Sequence, residues 1–146
     1  MKPNNILRGI DSVNFIEVPN FIDSRGDLTV FQENSCVPFS ISRVFAVTAL
    51  ANSVRGQHAH KRCSQFMVCL SGSIEVICND GFAEKRLLLD RSNLGLILPP
   101  GIWAEEIYKK DHSILLVLCD YPYDESDYIL SIQELKKFKE KKFNEK

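Results

Sequence analysis

Apolar positions in this chain come in short runs that either alternate with polar residues or fill a segment outright, and turn-forming residues separate the runs. Residues 12–18, 27–33, 40–50, 66–70, 73–78, 82–89, 93–98, 106–109 and 113–119 each carry such a run. In residues 40–50, Ile41, Arg43, Phe45 and Val47 share one face and Ser42, Val44, Ala46 and Thr48 the other, because successive side chains of a strand point to opposite sides. Ile74, Val76 and Cys78 alternate with Ser73, Glu75 and Ile77 in the same way. Residues 114–118 are apolar throughout, which is the pattern of a buried strand. Asp23-Ser24-Arg25-Gly26 reads as a turn, since Asp and Ser suit its start and Gly26 accepts positive φ. Ser71-Gly72-Ser73 reads as a second turn, and Asn79-Asp80-Gly81 is a strong hairpin signal. Many short strands separated by turns predict an all-β sandwich or barrel. There is no internal repeat and no low-complexity linker, so one domain over residues 1–146 is expected, with the barrel at about 12–120.

The tail has a different period. Ile129, Ile132, Leu135 and Phe138 recur every three residues, and lysines crowd the end. This predicts an amphipathic helix over about residues 127–142, packed on the outside of the barrel, with cations where the helix dipole favours them. Ser126 or Asp127 would cap its start, and the lysines would form a solvated face.

Composition narrows the class. Of the 146 residues, 45% are hydrophobic and 25% charged, which is ordinary globular usage with enough core to fold unaided. A net charge of −1 supplies no broad basic field, which argues against nucleic acid as a partner. The five cysteines, Cys36, Cys63, Cys69, Cys78 and Cys119, form no C-x-x-C pair and read as reduced thiols. Residues 1–20 lack the continuous apolar region of a leader, and no stretch approaches the roughly 20 apolar residues of a membrane span. A cytoplasmic protein without membrane association is expected.

The candidate chemistry lies in residues 55–72. His58 and His60, two of the three histidines, stand two apart, so on a strand both imidazoles project into one cavity. Arg55 lies just upstream and Gln65 just downstream. Two imidazoles alone make a poor divalent-metal site, since catalytic zinc usually has three protein ligands and iron oxygenases add a carboxylate. Glu105 and Glu106, which follow Ala104, could supply a carboxylate, but on a strand Glu105 faces away from Ala104 and Glu106 lies one step further on. No metal is therefore expected. Imidazoles free of metal suit acid–base work, because their ordinary pKa lies near about 6.5.

The spacing His58-x-His60, four residues, Gln65, six residues, Gly72 resembles the first motif of the cupins, small jelly-roll β-barrels. The segment Pro99-Pro100-Gly101-Ile102-Trp103-Ala104 resembles the second. Metal-binding cupins hold the ion with two His, a Glu and a later His. This chain keeps both His and has Gln65 and Ala104 in the other two places. The resemblance implies a cupin jelly roll with a C-terminal helix.

A narrower likeness follows from four features in order: Asp23-Ser24-Arg25-Gly26, Arg55-Gly56 before His58-Ala59-His60-Lys61, Pro99 to Trp103, and Tyr121 to Ile129. Together they resemble the WxcM-like cupins, which include sugar 3,4-ketoisomerases acting on dTDP-4-keto-6-deoxyglucose. The resemblance implies a cofactor-independent isomerase and a cytoplasmic homodimer with exchanged N-terminal strands. It also implies a place in making deoxyamino sugars for lipopolysaccharide O-antigen or other surface glycans. By the same resemblance His60 is the base and proton shuttle, and His58 moves a proton between oxygens or fixes sugar hydroxyls. Arg25, Arg55 and Gln65 bind or orient the substrate. Trp103 is read as a stacking surface in the pocket, with a buried core position as the alternative. Two departures stand out. Ala104 occupies a place where the family often has His or Arg, which bears on how the proton is redelivered. Phe45-Ala46 follow Arg43-Val44 where two tyrosines are frequent. Product stereochemistry at carbon 4 is thereby left open, as are two other readings: a nucleotide-sugar epimerase, and a sugar-nucleotide-binding cupin without catalysis.

Overall fold

The computed structural model describes residues 9–145. Residues 1–8 and residue 146, which belong to the expected domain and in part to the segment read for a leader, lie outside the described residues. Strands β1 (Asn14–Glu17), β9 (Leu94–Leu98), β6 (Gln65–Ser71), β11 (Ser113–Cys119) and β4 (Arg43–Ala49) form one five-stranded sheet, neighbours in that order. Strands β12 (Tyr128–Ile129), β5 (Val54–His60), β10 (Trp103–Tyr108), β7 (Ile74–Asn79) and β8 (Glu84–Leu89) form the second. The pairings between these strands are all antiparallel. A separate hairpin joins β2 (Asn20–Asp23) to β3 (Gly26–Thr29) across the predicted Ser24-Arg25 turn.

The two sheets enclose the main core. Met67, Cys69, Leu96, Leu98, Leu115 and Val117 from the first meet Ile74, Val76, Cys78, Leu87, Leu89 and Tyr108 from the second. The unbroken apolar character of β6 has a second cause. Its other face, Phe66 and Val68, is also buried, against Val18, Val37, Phe39 and Leu118. The connection between β3 and β4 thus covers the outside of the first sheet, so both faces of β6 lose water and both must be apolar.

Gly95 shows how close that outer packing is. A Cβ there would collide with the Phe66 ring. Gly95→Ala is therefore an overpacking change and costs about 1–3 kcal/mol. A lowered urea midpoint with an unchanged slope is the expected reading.

The helix α1 (Ile132–Asn144) starts five residues later than its period predicts. Ser131 is the cap, accepting from the Glu134 amide, and Glu134 reaches back to the Leu130 amide in a reciprocal capping box. Residues 125–127 instead form a short 3-10 turn, and Tyr128 and Ile129 pair with His60 and Ala59 as an edge strand. Ser126 and Asp127 thus cap no α-helix. Nor are all the lysines solvated. Lys139 is buried and donates to the Asp80 carbonyl at 2.6 Å. It lies four residues after Leu135 and so shares that residue's buried face.

Candidate active site

Strand β5 carries the histidines and holds a bulge. In the pairing with β10, Ala104 faces His58 while Glu105 faces Gly56, leaving Gln57 without a partner. Gly56 and Gln57 both have positive φ, 81° and 61°. A bulge shifts the phase of alternation by one residue. Arg55 therefore turns to the same side as His58, which strict alternation would forbid, and both line one cavity.

His60 is buried, and its Nδ1 lies 2.9 Å from Asp127 Oδ2. A carboxylate can only accept, so Nδ1 carries the proton and Nε2 the free lone pair. Nε2 is buried and has no hydrogen-bond partner. Asp127 is itself held by the Arg62 amide at 2.7 Å and the Cys63 amide at 3.3 Å. Burial alone would push the Asp127 carboxyl up, but the His60 hydrogen bond and these two amides outweigh it and hold the carboxyl below its ordinary range. The His58 ring stands edge-on to His60 with centroids 5.0 Å apart, and the Tyr128 ring lies 4.6 Å from His60 and 4.9 Å from His58. Burial pushes the His58 imidazole down, with the nearby charges of His60 and Arg43 adding to it against a hydrogen bond to Gly56.

The cavity beside this group has a volume of about 180 Å³. Arg55, His58, Glu106, Tyr108 and Tyr128 line one side, with Gln65 from the other sheet. Phe45, Val47, Met67, Leu115 and Val117 form the apolar wall of that other sheet. A larger hollow of about 490 Å³ lies between the end of α1 and the Asp80 turn, but none of the candidate residues reaches it.

One sequence expectation needs correction. Trp103 does not line the cavity. Ala104, Glu106 and Tyr108 occupy the inward positions of β10, so Trp103 falls on the outer face. There it packs with Ala59, Ile129 and Leu135 beneath α1 and donates to Glu105. Arg25 stands at the tip of the β2–β3 hairpin, its side chain 88% exposed and paired with Asp23 at 2.6 Å, away from the cavity of its own chain. Asp127, Tyr128, Glu106 and Tyr108 are site residues that the sequence reading did not assign.

The ligand atoms of His60, Cys63 and Asp127 lie within 4.8 Å of one another, close enough to suggest a metal. The donors argue otherwise, because both Asp127 oxygens are engaged by N–H groups. The Cys63 thiol donates to the Ser64 carbonyl at 3.4 Å, and the neighbouring Cys119 together with burial pushes Cys63 further from ionisation, while Cys63, Arg43 and Gln65 pull Cys119 down. All five cysteines are free thiols, and four of them are buried.

This geometry can be set beside known proteins. The family described as "FdtA: WxcM-like, C-terminal" matches residues 11–141. The chain belongs to the WxcM-like family. A relative from Aneurinibacillus thermoaerophilus, named TDP-4-oxo-6-deoxy-alpha-D-glucose-3,4-oxoisomerase, is 39% identical over 124 residues, 84% of this chain and 89% of its own. Among solved structures, QdtA is a sugar 3,4-ketoisomerase from Thermoanaerobacterium thermosaccharolyticum seen in complex with TDP. It superposes with a TM-score of 0.86 at 31% identity, covering 92% of this chain and 98% of that one. The TDP-quinovose 3,4-ketoisomerase WlaRB from Campylobacter jejuni superposes at 0.82 with 32% identity, covering 88% and 99%. The fold this chain shares with these ketoisomerases is the cupin-like barrel, and here a single α-helix follows it among the described residues.

Proposed function

We infer that this protein is a sugar 3,4-ketoisomerase acting on a TDP-linked 4-keto-6-deoxyhexose, with TDP-4-keto-6-deoxyglucose as the substrate to test first. One observation carries the reading: a buried carboxylate fixes the tautomer of His60 and leaves its Nε2 without a partner, with the rings of His58 and Tyr128, which line the cavity, packed against it. The proton on carbon 3 is acidified by the neighbouring C4 ketone. His60 takes it, an enediolate forms, and the proton returns at carbon 4, so the overall change needs no redox partner. A second group must move the hydroxyl proton between the two oxygens, and His58 is a carrier the cavity offers. Arg55 and Gln65 orient the sugar. The cavity is smaller than the roughly 300–1,000 Å³ of pockets that enclose a whole drug-sized ligand, and suits a sugar ring with the nucleotide outside.

The epimerase alternative calls for a proton donor on the opposite face of the ring. The wall facing the histidines, Phe45, Val47, Met67, Leu115 and Val117, carries no titratable side chain, which favours removal and return on one face.

The same reading extends to the assembly. Phe21, Ile22 and Leu28 stand exposed on the β2–β3 hairpin, a surface suited to exchange with a second copy, while β1 pairs with β9 of its own chain. In such a homodimer Arg25 reaches the partner's substrate, and its guanidinium fork suits a diphosphate. Free buried thiols fit a reducing cytoplasm, where sugar nucleotides for surface glycans such as O-antigen are made. Among the described residues no helix is long and apolar enough to cross a membrane.

Incubation with TDP-4-keto-6-deoxyglucose in deuterated water is the test. NMR should show a 3-keto product carrying deuterium at carbon 4, whereas binding without any ring exchange would leave only a sugar-nucleotide-binding role.

A further inference from the structure

The ketoisomerase reading leaves one buried group unused. Ala104, Glu106 and Tyr108 form the inward row of β10, with Ala104 opposite His58 and Glu106 opposite Arg55. Ala104 has no group that could give or take a proton. Two residues further, about 7 Å along the same row, Glu106 places a carboxyl in the same cavity as His58 and Tyr128. It is only 5% exposed, and no ion pair among the described residues engages it. The backbone makes room for it. Gly56 sits at the bulge, where a Cβ would collide with Glu106 Oε2. The Tyr108 hydroxyl on the same row is buried without a partner, so this end of the cavity holds one polar group whose bonding is unfinished next to the Glu106 carboxyl.

We propose that Glu106 is the acid–base residue that carries the proton between the two substrate oxygens, supplying from the next inward position what Ala104 cannot. The proposal rests on the ketoisomerase reading and divides its labour. His60 Nε2 takes the C3 proton. The C3–H pair becomes the C3=C4 double bond, the C4=O pair moves to O4, and O4 takes the Glu106 proton. The product of this half is a neutral enediol. Then the Glu106 carboxylate takes the O3 proton, the O3–H pair becomes C3=O, and the double-bond pair takes the His60 proton at carbon 4. Both residues return to their starting forms, and His58 keeps the task of fixing a hydroxyl.

The local field suits a carboxyl that begins protonated. Burial pushes Glu106 up to about 7, with Arg55 pulling it down and Glu105 pushing it up. The groups around it are Arg55 and His58 from β5, Cys78 from β7, Tyr128 from β12 and Tyr108 from its own strand, with Glu105 acting through its charge from the outer face of that strand.

The experiment uses full-length wild type, Glu106→Gln and Glu106→Asp with TDP-4-keto-6-deoxyglucose in deuterated water. Exchange at C3 and formation of the 3-keto product are followed separately by NMR, with melting curves and TDP binding as checks on the fold. In Glu106→Gln the amide still donates to O4 but cannot shuttle. C3 exchange should persist at the wild-type order while product formation falls about 100-fold or more, and Glu106→Asp should recover part of it. Product formation by Glu106→Gln near the wild-type rate overturns the proposal, as does joint loss of exchange and product in a folded variant. Wild type gives a reading that needs no variant: product formation declines as pH rises through about 7, because ionised Glu106 has no proton for O4, and a flat profile there overturns the assignment. Wild type that neither exchanges nor isomerises would instead remove the ketoisomerase reading itself.

Discussion

His60→Asn is expected to abolish ketone migration and C3–deuterium exchange together, by at least about 10³-fold each. Asparagine keeps a donor for Asp127, so the buried carboxylate is not left without a partner, and the two amides of Arg62 and Cys63 still bind it. What disappears is a buried basic lone pair that has no hydrogen-bond partner. Circular dichroism and TDP binding should therefore match wild type while both NMR signals vanish. Exchange persisting near the wild-type rate would move the carbon base from His60 to His58, whose ring lines the cavity. The parallel change His58→Asn should slow product formation less, because His58 handles oxygens rather than carbon in this scheme.

The paired histidines were legible because period 2 on a strand is a local property, and Gln65 because a motif spacing fixed it. Arg55 reached the site by a route that alternation does not foresee. The positive φ at Gly56 and Gln57 inserts a bulge, and only pairing with β10 reveals it. Asp127 was visible as a residue but not as a partner, since 67 positions separate it from His60. Its place before an apparent helix made it look like a cap. The signal against that reading was Ser131 with Glu134 three residues on, a better capping box just downstream. Once the helix starts at Ile132, Tyr128 and Ile129 are free to pair as an edge strand, and that pairing carries Asp127 to His60. Trp103 was misplaced for want of one fact, the register of β10. Glu106 follows from the same fact, since the alternation that turns Trp103 outward turns Ala104 and Glu106 inward.

Asp127→Asn should lower kcat by about 10²- to 10⁴-fold with KM changed little, because Asp127 lines no part of the cavity and acts only through His60. Asparagine has one oxygen where Asp127 uses two. If that oxygen keeps the Arg62 amide, the NH₂ group faces His60 Nδ1, which must then accept. The ring proton moves to Nε2, and the atom that should take the C3 proton already carries one. C3 exchange should fall in step with kcat, which separates this loss from a defect in the oxygen shuttle. A stability signature should accompany it. The Asp127 carboxyl is held below its ordinary range, so its ionised form stabilises the fold above the unfolded value of about 3.9, and the contribution is lost as pH falls through the native value. The urea midpoint of Asp127→Asn should therefore lie below that of wild type near neutrality, with the gap closing at acid pH. A variant that keeps wild-type kcat would show that the Asp127 hydrogen bond does not set the tautomer on which the carbon base depends.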